Sequence, residues 1–256
     1  MLGLVTISVF GLFHPVELEV RAAPGGAIVV RSGEDEKELE GSHSMRLRGA
    51  ALVAGRDGAP VRFILSVPGK IRREFFGTLE IRAQHPELLA IVTMDRETAV
   101  ASIVAAESPP GAPMEARKAQ AVVARSFLAA ARNRHDGFDF CDTTHCQFLR
   151  EPPAAGSPAR RAQESTNGLA LTYQGRAIAA LYSANCGGRT RTLAEAGWQP
   201  EPYPYFDVEC PVRGEISGHR IGMCQTGAAE MARHGSTFRE ILSRYFPAAA
   251  IEEPGR

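Results

Sequence analysis

The chain has 256 residues, of which 44% are hydrophobic and 23% charged, a composition typical of a globular protein. Its 29 basic side chains balance its 29 acidic ones, so its charge gives no reason to expect a nucleic acid or an anionic membrane as the partner. Its five cysteines are too few and too scattered for a disulfide scaffold.

The N-terminal segment is apolar but does not have the pattern of a signal peptide. Residues 1–13 (MLGLVTISVFGLF) follow no basic region and end without a small-residue cleavage site. The run is also shorter than the roughly 20 residues that cross a bilayer. We therefore expect neither a cleaved signal peptide nor a membrane-spanning segment, and we predict strands at 6–10 and 16–20.

Residues 1 to about 90 predict a β-rich region. Short apolar runs alternate with turn signals such as Asp57-Gly58 and Pro68-Gly69. Further strands are predicted at 27–30, 47–52, 61–67 and 77–81. From about Thr93 the apolar spacing becomes helical, so we predict an α+β fold with a mainly β core and helices packed around it.

One acidic residue ends an apolar helical stripe. Glu107 follows Val100, Ile103 and Val104 at helical spacing, and two prolines after Ser108 end the helix. A carboxylate on a core-facing stripe is costly to ionise without a partner, and the negative end of the helix dipole also disfavours it. Both effects predict a raised pKa, which suits a general acid. The alternative is a helix-end glutamate that turns out into solvent.

The next predicted element is a long helix at 114–132 (MEARKAQAVVARSFLAAAR). Lys118, Arg125 and Arg132 are seven residues apart, so they share one of its faces. Further on, 169–173 and 177–182 predict a hairpin about Gln174-Gly175. Two closing helices are predicted at 226–234 and 237–246, the second with a capping box formed by Thr237 and Glu240.

A cysteine-rich loop between these elements contains candidate metal ligands. Cys141, His145 and Cys146 lie within six residues, and His135 precedes them by six. Thiols and imidazoles suit a tetrahedral zinc ion, and a site with three protein ligands would leave a position for water. The alternatives are a Cys141–Cys146 disulfide, if the protein is exported, and two unlinked thiols.

Two glycine-rich segments are candidates for ligand binding. Residues 183–188 (SANCGG) follow a predicted strand, and 218–228 (GHRIGMCQTGA) precede a helix. Glycines allow the backbone to approach a ligand closely. For His219 taken alone, a structural role is the alternative.

The order of these motifs resembles that of the SpoIID/LytB family, bacterial cell-wall proteins of sporulation and autolysin regulation. The family's acid motif is similar to 103–109 (IVAAESP), and its following helix is similar to 115–126 (EARKAQAVVARS). Three later motifs resemble 141–147, 182–190 and 219–228. We therefore divide the chain into a β-rich N-terminal part (1–90), a catalytic core (91–247) and a tail (248–256).

The resemblance implies lytic transglycosylation of peptidoglycan glycan strands, especially strands stripped of stem peptides. Its single catalytic acid falls on Glu107, and the 6-hydroxyl of the sugar is the internal nucleophile. The product then has a 1,6-anhydro end, which departs from the usual two-carboxylate arrangement. The resemblance also implies zinc at Cys141 and Cys146, completed by His135 or His145, with no organic cofactor. Action in the cell envelope follows from the substrate.

The family motifs also imply a set of substrate-binding residues. These are Lys118, Gln120, Arg125, Tyr182, Ser183, Gly187, Gly188, His219, Gly222 and Gln225. We expect a groove where Glu107, Ser183, Gly187 and His219 converge. The expected partners are glycan strands, alone or together with a wall amidase, and not a nucleic acid.

The chain departs from the family pattern at four positions. Ser108 replaces methionine, Tyr182 replaces histidine, and Cys186 and Cys224 replace serines. Tyrosine can still donate a hydrogen bond, and cysteine preserves the size of serine. Two other functions stay open: a non-catalytic wall-binding regulator or amidase enhancer, and a redox- or zinc-sensing module based on 141–146. Products released from denuded glycan would distinguish them.

Overall fold

The computed structural model describes residues 3–253, and the chain forms two compact units. One unit runs to Ala106 and includes Asn133–Pro153, and the other contains Glu107–Arg132 and the described chain from Ala154 onward. Each unit is therefore built from two separate stretches of chain, whereas the predicted division into 1–90 and 91–247 is continuous in sequence and stays a prediction. Residues 1–2 of the apolar N-terminal run and 254–256 of the predicted tail lie outside the described range.

A ten-stranded sheet dominates the first unit. Its strands are β1 (Leu4–Val9), β2 (Leu18–Ala22), β3 (Ala27–Ser32), β4 (Asp35–Glu40), β5 (Ser44–Leu47), β6 (Ala51–Ala54), β7 (Val61–Val67), β8 (Ile71–Gln84), β9 (Glu87–Asp95) and β10 (Phe140–Cys141). The main path runs β10-β1-β9-β8-β6-β3-β4, while β2 joins β5 and β7, and β7 joins β8. β1 and β10 are parallel, and the other pairs of this sheet are antiparallel.

The sheet is held by an aromatic core and by its register. Phe75 stacks on Phe63 with 5.7 Å between ring centroids and meets Phe10 edge-on at 5.9 Å. At the sheet edge, Phe140 of β10 aligns with Ile7 of β1, so the next residue begins the cysteine-rich loop from a fixed position. The strand pairing therefore anchors one end of the candidate metal loop.

Most predicted strands are present, with two informative differences. The predicted run 47–52 is divided, because β5 ends at Leu47 and β6 begins at Ala51. β4 was missed because its side chains are exposed apart from Leu39, so it lacks the apolar alternation of a half-buried strand. Charged side chains are typical of such strands at the end of a sheet, since they discourage pairing with other chains.

The first helix joins the sheet to the second unit. β9 continues to Asp95, and α1 (Arg96–Glu107) therefore begins slightly later than the helical spacing from Thr93 predicted. The Asp95 carboxylate accepts the backbone N–H groups of Glu97 and Thr98, at 2.9 and 3.1 Å. This caps the free donors of the first helical turn.

The second unit packs four helices with short strands. Its elements are α2 (Met114–Ala130), α3 (Pro158–Ser165), β11 (Ala170–Tyr173), β12 (Arg176–Ala177), β13 (Tyr182–Ser183), β14 (Met223–Cys224), α4 (Gln225–Arg233), α5 (Phe238–Tyr245) and β15 (Ala250–Glu252). α2 contacts α3, α4, α5 and β11, and its residues from Ala119 to Leu128 are all buried. β15 pairs with β11, so part of the predicted tail is a strand of this unit.

Two local predictions in the second unit are confirmed. Thr237 and Glu240 form the capping box at the start of α5, with side-chain and backbone bonds in both directions. β11 and β12 form the hairpin, although its second strand ends at Ala177 and does not extend to Tyr182 as predicted. Gln174 and Gly175 at its turn have φ values of 51° and 74°. Two successive positive φ angles match the type I′ turn that suits the strand twist.

These elements confirm the predicted α+β fold class. A large sheet in one unit and a helix-rich second unit account for the change from strand to helical patterning near residue 95. Within residues 3–253, no helix is both long enough and apolar enough to cross a membrane.

Candidate active site

Glu107 is the last residue of α1, and it is half-buried. The preceding members of its stripe, Val100, Ile103 and Val104, are each no more than 1% exposed. The carboxylate therefore ends a fully buried stripe at the point where the chain leaves the helix. It is neither enclosed in the core nor fully solvated, so it can meet a ligand with part of its water removed.

Tyr182 binds the Glu107 side chain directly. Its hydroxyl donates to the carboxylate, and burial together with the negative charge of Glu107 raises the pKa of the phenol well above its ordinary value. Tyr182 therefore keeps its proton and remains a donor to the acid. It lies in β13, which runs parallel to β14 with Tyr182 opposite Met223.

A buried pair of glutamines supports the end of α1. The Gln225 amide donates to the backbone oxygen of Glu107 at 2.8 Å and to the Gln120 side-chain oxygen at 3.2 Å. Gln120 and Gln225 are 2% and 8% exposed. The bond to Glu107 satisfies a helix-end carbonyl that would otherwise lack a partner. It also fixes the backbone that presents the carboxylate.

Several buried polar atoms in this region have no hydrogen-bond partner among the described residues. They are the Gln120 amide nitrogen and the hydroxyls of Ser108 and Ser183. Ser108, Gln120 and Gln225 line one small cleft, and Ser183 directly follows Tyr182 in β13. A buried polar atom without a partner costs about 1–3 kcal/mol, so such atoms are candidates for binding hydroxyl groups or water.

His219 lies beside this wall, but its ring bonds to the protein. Its Nδ1 accepts the backbone N–H of Ile221 at 3.0 Å, and it also hydrogen-bonds with the backbone of Tyr182. Burial lowers the pKa of the imidazole, with the Tyr182 contact acting in the opposite direction. His219 is thus a neutral imidazole that holds the chain next to Tyr182, which is closer to the structural alternative than to a sugar contact.

Trp198 is a candidate residue that the motifs did not reveal. It is the only tryptophan of the sequence, it is 46% exposed, and its ring centroid lies 5.3 Å from that of His219. Contacts therefore run from Glu107 through Tyr182 and His219 to an exposed aromatic face. The signal that the sequence offered was that it has a single tryptophan, a residue type common at binding surfaces.

The three glycines predicted to bind substrate are packed against other parts of the protein. At Gly222 a Cβ atom would lie 2.1 Å from the Leu181 backbone oxygen, and at Gly187 it would lie 2.7 Å from the Ile216 side chain. A Cβ at Gly188 would lie 3.2 Å from Arg213. All three have positive φ, so glycine is required for the chain path itself. The close approach is to neighbouring chain segments, which corrects the expectation that these glycines open the backbone to a ligand.

One of the two basic residues assigned to substrate binding is also corrected. Arg125 is 1% exposed, and its guanidinium donates to the backbone oxygens of Leu169 and Gln163 at 2.9 and 3.5 Å. A side chain enclosed in this way cannot reach a glycan, so Arg125 ties α2 to α3 and β11. Lys118 is half-buried and pairs with Glu115 at 2.6 Å.

The cysteine-rich loop brings all four predicted metal ligands together in the first unit. Single ligand atoms of His135, Cys141, His145 and Cys146 lie within 4.8 Å of one another. The Cys146 sulfur is 3.4 Å from His135 Nε2 and 3.5 Å from His145 Nδ1. Both histidines thus belong to the cluster, a point that spacing had left open.

The electrostatics of this loop favour a thiolate. Hydrogen bonds from Cys146, and then from Thr143 and His145, lower the pKa of Cys141 to about 4. Cys141 in turn raises the pKa of Cys146, because the two sulfurs share one proton. His135 is held by stacking on Phe138, with ring centroids 4.5 Å apart.

A separate cavity of about 450 Å³ in the second unit is not lined by Glu107. Tyr203 and Tyr205 form part of its wall, but their hydroxyls donate to the backbone oxygens of Pro247 and Ala179, at 3.0 and 2.5 Å. Its size exceeds that of the cleft beside Glu107, yet its buried hydroxyls are engaged within the protein. Chemistry therefore favours the Glu107 region as the candidate site.

Comparison with known proteins finds a family model and a curated relative that are similar to part of this chain. The model of the SpoIID family, described as stage II sporulation protein, matches residues 84–173. An uncharacterized protein of Brachyspira hyodysenteriae is 29% identical over 133 residues, which cover 51% of this chain and 36% of the relative. The match thus spans about a third of that relative's length. The predicted resemblance is confirmed: the SpoIID family model matches a range that contains Glu107 and the cysteine-rich loop, and this similarity fits a role at the bacterial cell wall.

Proposed function

We propose that the protein is a lytic transglycosylase that cleaves the glycan strands of peptidoglycan, with Glu107 as both acid and base. The observation that carries the proposal is the half-buried Glu107 carboxylate at a helix end, bound by the protonated hydroxyl of Tyr182. A SpoIID region associated with the cell wall supports the choice of substrate.

The reaction needs one carboxyl group that changes role. Protonated Glu107 gives its proton to the glycosidic oxygen, and the bond from this oxygen to C1 breaks with positive charge developing on the sugar. The Glu107 carboxylate then takes the proton of the 6-hydroxyl, whose oxygen bonds to C1. The products are a free hydroxyl on one sugar and a 1,6-anhydro end on the other, and Glu107 is protonated again.

Tyr182 and Gln225 have positioning roles in this scheme. As Glu107 loses its proton, the Tyr182 hydroxyl stabilises the growing charge through a bond that strengthens in the transition state. Gln225 donates to the Glu107 backbone oxygen and so fixes the position from which the carboxyl group meets the glycosidic oxygen. The arrangement is therefore preorganised before a substrate binds.

The surrounding residues supply binding groups for a sugar chain. The Ser183 hydroxyl and the Gln120 amide are buried and lack partners among the described residues, so they can hold water that in turn bonds to sugar hydroxyls. Trp198 offers an exposed ring on which the flat face of a sugar can stack. The glycan would then extend from Glu107 past His219 toward Trp198.

We further propose that the cysteine-rich loop holds a structural zinc ion. A tetrahedral zinc ion places two sulfur ligands about 3.8 Å apart and sulfur and nitrogen ligands about 3.6 Å apart. The separations of 3.4, 3.5 and 3.8 Å from the sulfurs to the imidazole nitrogens fit this geometry. Four protein ligands leave no open position, so zinc would stabilise the loop and take no part in the reaction.

The decisive experiment measures anhydro ends released from denuded glycan by mass spectrometry. We expect 1,6-anhydro products from the wild type, and a loss of at least about 100-fold in Glu107→Gln. Glu201→Gln is the matched control, because Glu201 is exposed and lies in the same unit. Turnover above about a tenth of the wild-type rate in a folded Glu107→Gln variant would refute the assignment. Glycan binding without cleavage by the wild type would instead favour the non-catalytic regulator.

A further inference from the structure

Three cysteines outside the cysteine-rich loop converge in the core of the second unit. Cys186 follows β13, Cys210 lies in the long connection before β14, and Cys224 is the last residue of β14. Their sulfurs all lie within 4.8 Å of one another, although the residues are 24 and 14 positions apart in sequence. The three residues are 0%, 8% and 0% exposed. The cluster is thus formed by the fold and is enclosed by it.

The Cys224 sulfur lies close to several hydrogen-bond donors and, at 3.9 Å, to the Ala184 backbone oxygen. It accepts the backbone N–H groups of Cys186 at 3.3 Å and Gly227 at 3.4 Å, and it lies 3.2 Å from the Thr226 hydroxyl. Cys224 is also the N-cap of α4, where the helix dipole is positive. Backbone N–H donors at a helix N-terminus stabilise a thiolate, the form in which cysteine binds metals.

The Cys210 sulfur also has a close polar neighbour. The Cys210 sulfur lies 3.2 Å from the Tyr245 hydroxyl. A Cβ atom at Gly227 would lie 2.0 Å from that hydroxyl and 2.4 Å from the Cys210 sulfur. Glycine at this position therefore leaves the space in which Cys210 and Tyr245 approach Cys224 across the first turn of α4.

We propose that Cys186, Cys210 and Cys224 form a three-thiolate site for one zinc-class metal ion, distinct from the cysteine-rich loop. Sulfur ligands of a tetrahedral ion lie about 3.8 Å apart, which the observed cluster accommodates. Binding releases three thiol protons and forms three metal–sulfur bonds. The dication offsets two of the three thiolate charges, and the backbone N–H donors to the Cys224 sulfur stabilise the remaining one. A disulfide would use only two of the three sulfurs.

This site would clamp the wall that contacts Glu107. Cys186 lies three residues after Ser183, and Cys224 directly precedes Gln225. The ion would thereby join β13, β14 and the start of α4, the elements that carry Tyr182 and Gln225. Metal binding itself does not depend on the proposed glycan reaction, so the two proposals can fail separately.

The test uses the full chain with Cys141→Ser and Cys146→Ser, which removes the thiols of the other candidate site. After reconstitution with Zn²⁺ under reducing conditions, we expect about one bound ion per chain by elemental analysis. Co²⁺ should bind with thiolate charge-transfer absorption, and the three thiols should resist alkylation until a chelator is added. Adding Cys210→Ser should weaken binding by at least about 100-fold.

Two comparisons keep the result unambiguous. Tyr245→Phe retains all three thiols and should keep the stoichiometry, which separates ligand loss from a packing change. If Cys210→Ser does not fold, the metal content of the parent variant decides. A parent variant that binds essentially no metal, whether with three reactive thiols or with a disulfide among the three cysteines by mass spectrometry, overturns the proposal.

Discussion

At the scale of single residues, Tyr182 is a hydrogen-bond donor to the side chain of the proposed acid, Glu107. Its raised pKa keeps the phenol protonated, so it donates to Glu107 while that group loses its proton. A hydrogen bond to a charged group contributes about 1.5–3 kcal/mol, so Tyr182→Phe should lower the rate of glycan cleavage about 10- to 100-fold. Single-turnover kinetics would measure this. Tyr173→Phe, in the same unit, is the control, and equal rates for the wild type and Tyr182→Phe would contradict the role.

Trp198 provides a second test at this scale. Because it is the only tryptophan, its fluorescence reports directly on the surface next to His219. Titration of the Glu107→Gln variant with glycan fragments should change its emission without cleavage. In the same Glu107→Gln background, Trp198→Ala should weaken binding in a glycan pull-down by roughly tenfold, about 1.4 kcal/mol, and Trp198→Phe should restore part of it. An emission that does not respond to saturating glycan would place the binding surface elsewhere.

The sequence could identify some of these residues but not their contacts. The position of Glu107 was predictable because local spacing and the two following prolines define both its helix face and the helix end. Arg125 was misassigned because its carbonyl partners lie 38 and 44 residues away, beyond any periodic pattern. For the same reason, neither Trp198 beside His219 nor the cluster of Cys186, Cys210 and Cys224 could be predicted.

At the scale of elements, the parallel pairing of β13 with β14 depends on a glycine. Gly222 has φ of 72°, and an added Cβ atom would lie 2.1 Å from the Leu181 backbone oxygen. Gly222→Ala should therefore lower the free energy of unfolding by at least about 2 kcal/mol, through both the unfavourable φ and the clash. Urea denaturation would measure the change.

Gly175→Ala is the matched control for this substitution. Gly175 has φ of 74°, but an added Cβ atom would have no neighbour within 4 Å. Gly175→Ala should therefore lower the free energy of unfolding only by the cost of the left-handed backbone conformation, about 1–2 kcal/mol. If the two variants lose equal stability, the contact with Leu181 has no importance for the pairing of β13 and β14.

Elements with strong local signals were the most predictable. The hairpin turn at Gln174-Gly175 and the capping box of α5 each depend on a few adjacent side chains, and both are present. β4 and the short β13 were harder to predict from the sequence. β4 is charged on nearly every side chain, and β13 has only two residues. β4 is a strand because it pairs with the adjacent β3, whereas β13 pairs with a strand that is distant in sequence, with Tyr182 opposite Met223.

At the scale of the whole molecule, the chain order does not reveal the compact units. Residues 133–153 follow the long helix α2 of the second unit, yet they belong to the first unit, where β10 pairs with β1. This assignment depends on the alignment of Phe140 with Ile7, a contact across 133 residues. Sequence patterns predicted the fold class because they are local, and they could not predict an interleaved arrangement.

The proposed zinc ion gives a prediction for the stability of the first unit. Its four ligands connect β10 to the loop between 135 and 146, so binding energy at a closed site contributes to folding. Because the second unit holds another candidate thiolate cluster, the background for this test is Cys210→Ser. A chelator should then lower the melting temperature, and Cys141→Ser/Cys146→Ser should abolish this effect.

The size of the effect follows from linkage. If zinc is present at about 100 times its dissociation constant, it stabilises the folded protein by about 2.7 kcal/mol, and the chelator removes that contribution. Differential scanning calorimetry with and without chelator, alongside elemental analysis of the same sample, would measure it. A protein that holds no zinc, has a Cys141–Cys146 disulfide by mass spectrometry and melts at the same temperature with chelator would show that this loop is closed by oxidation and not by a metal.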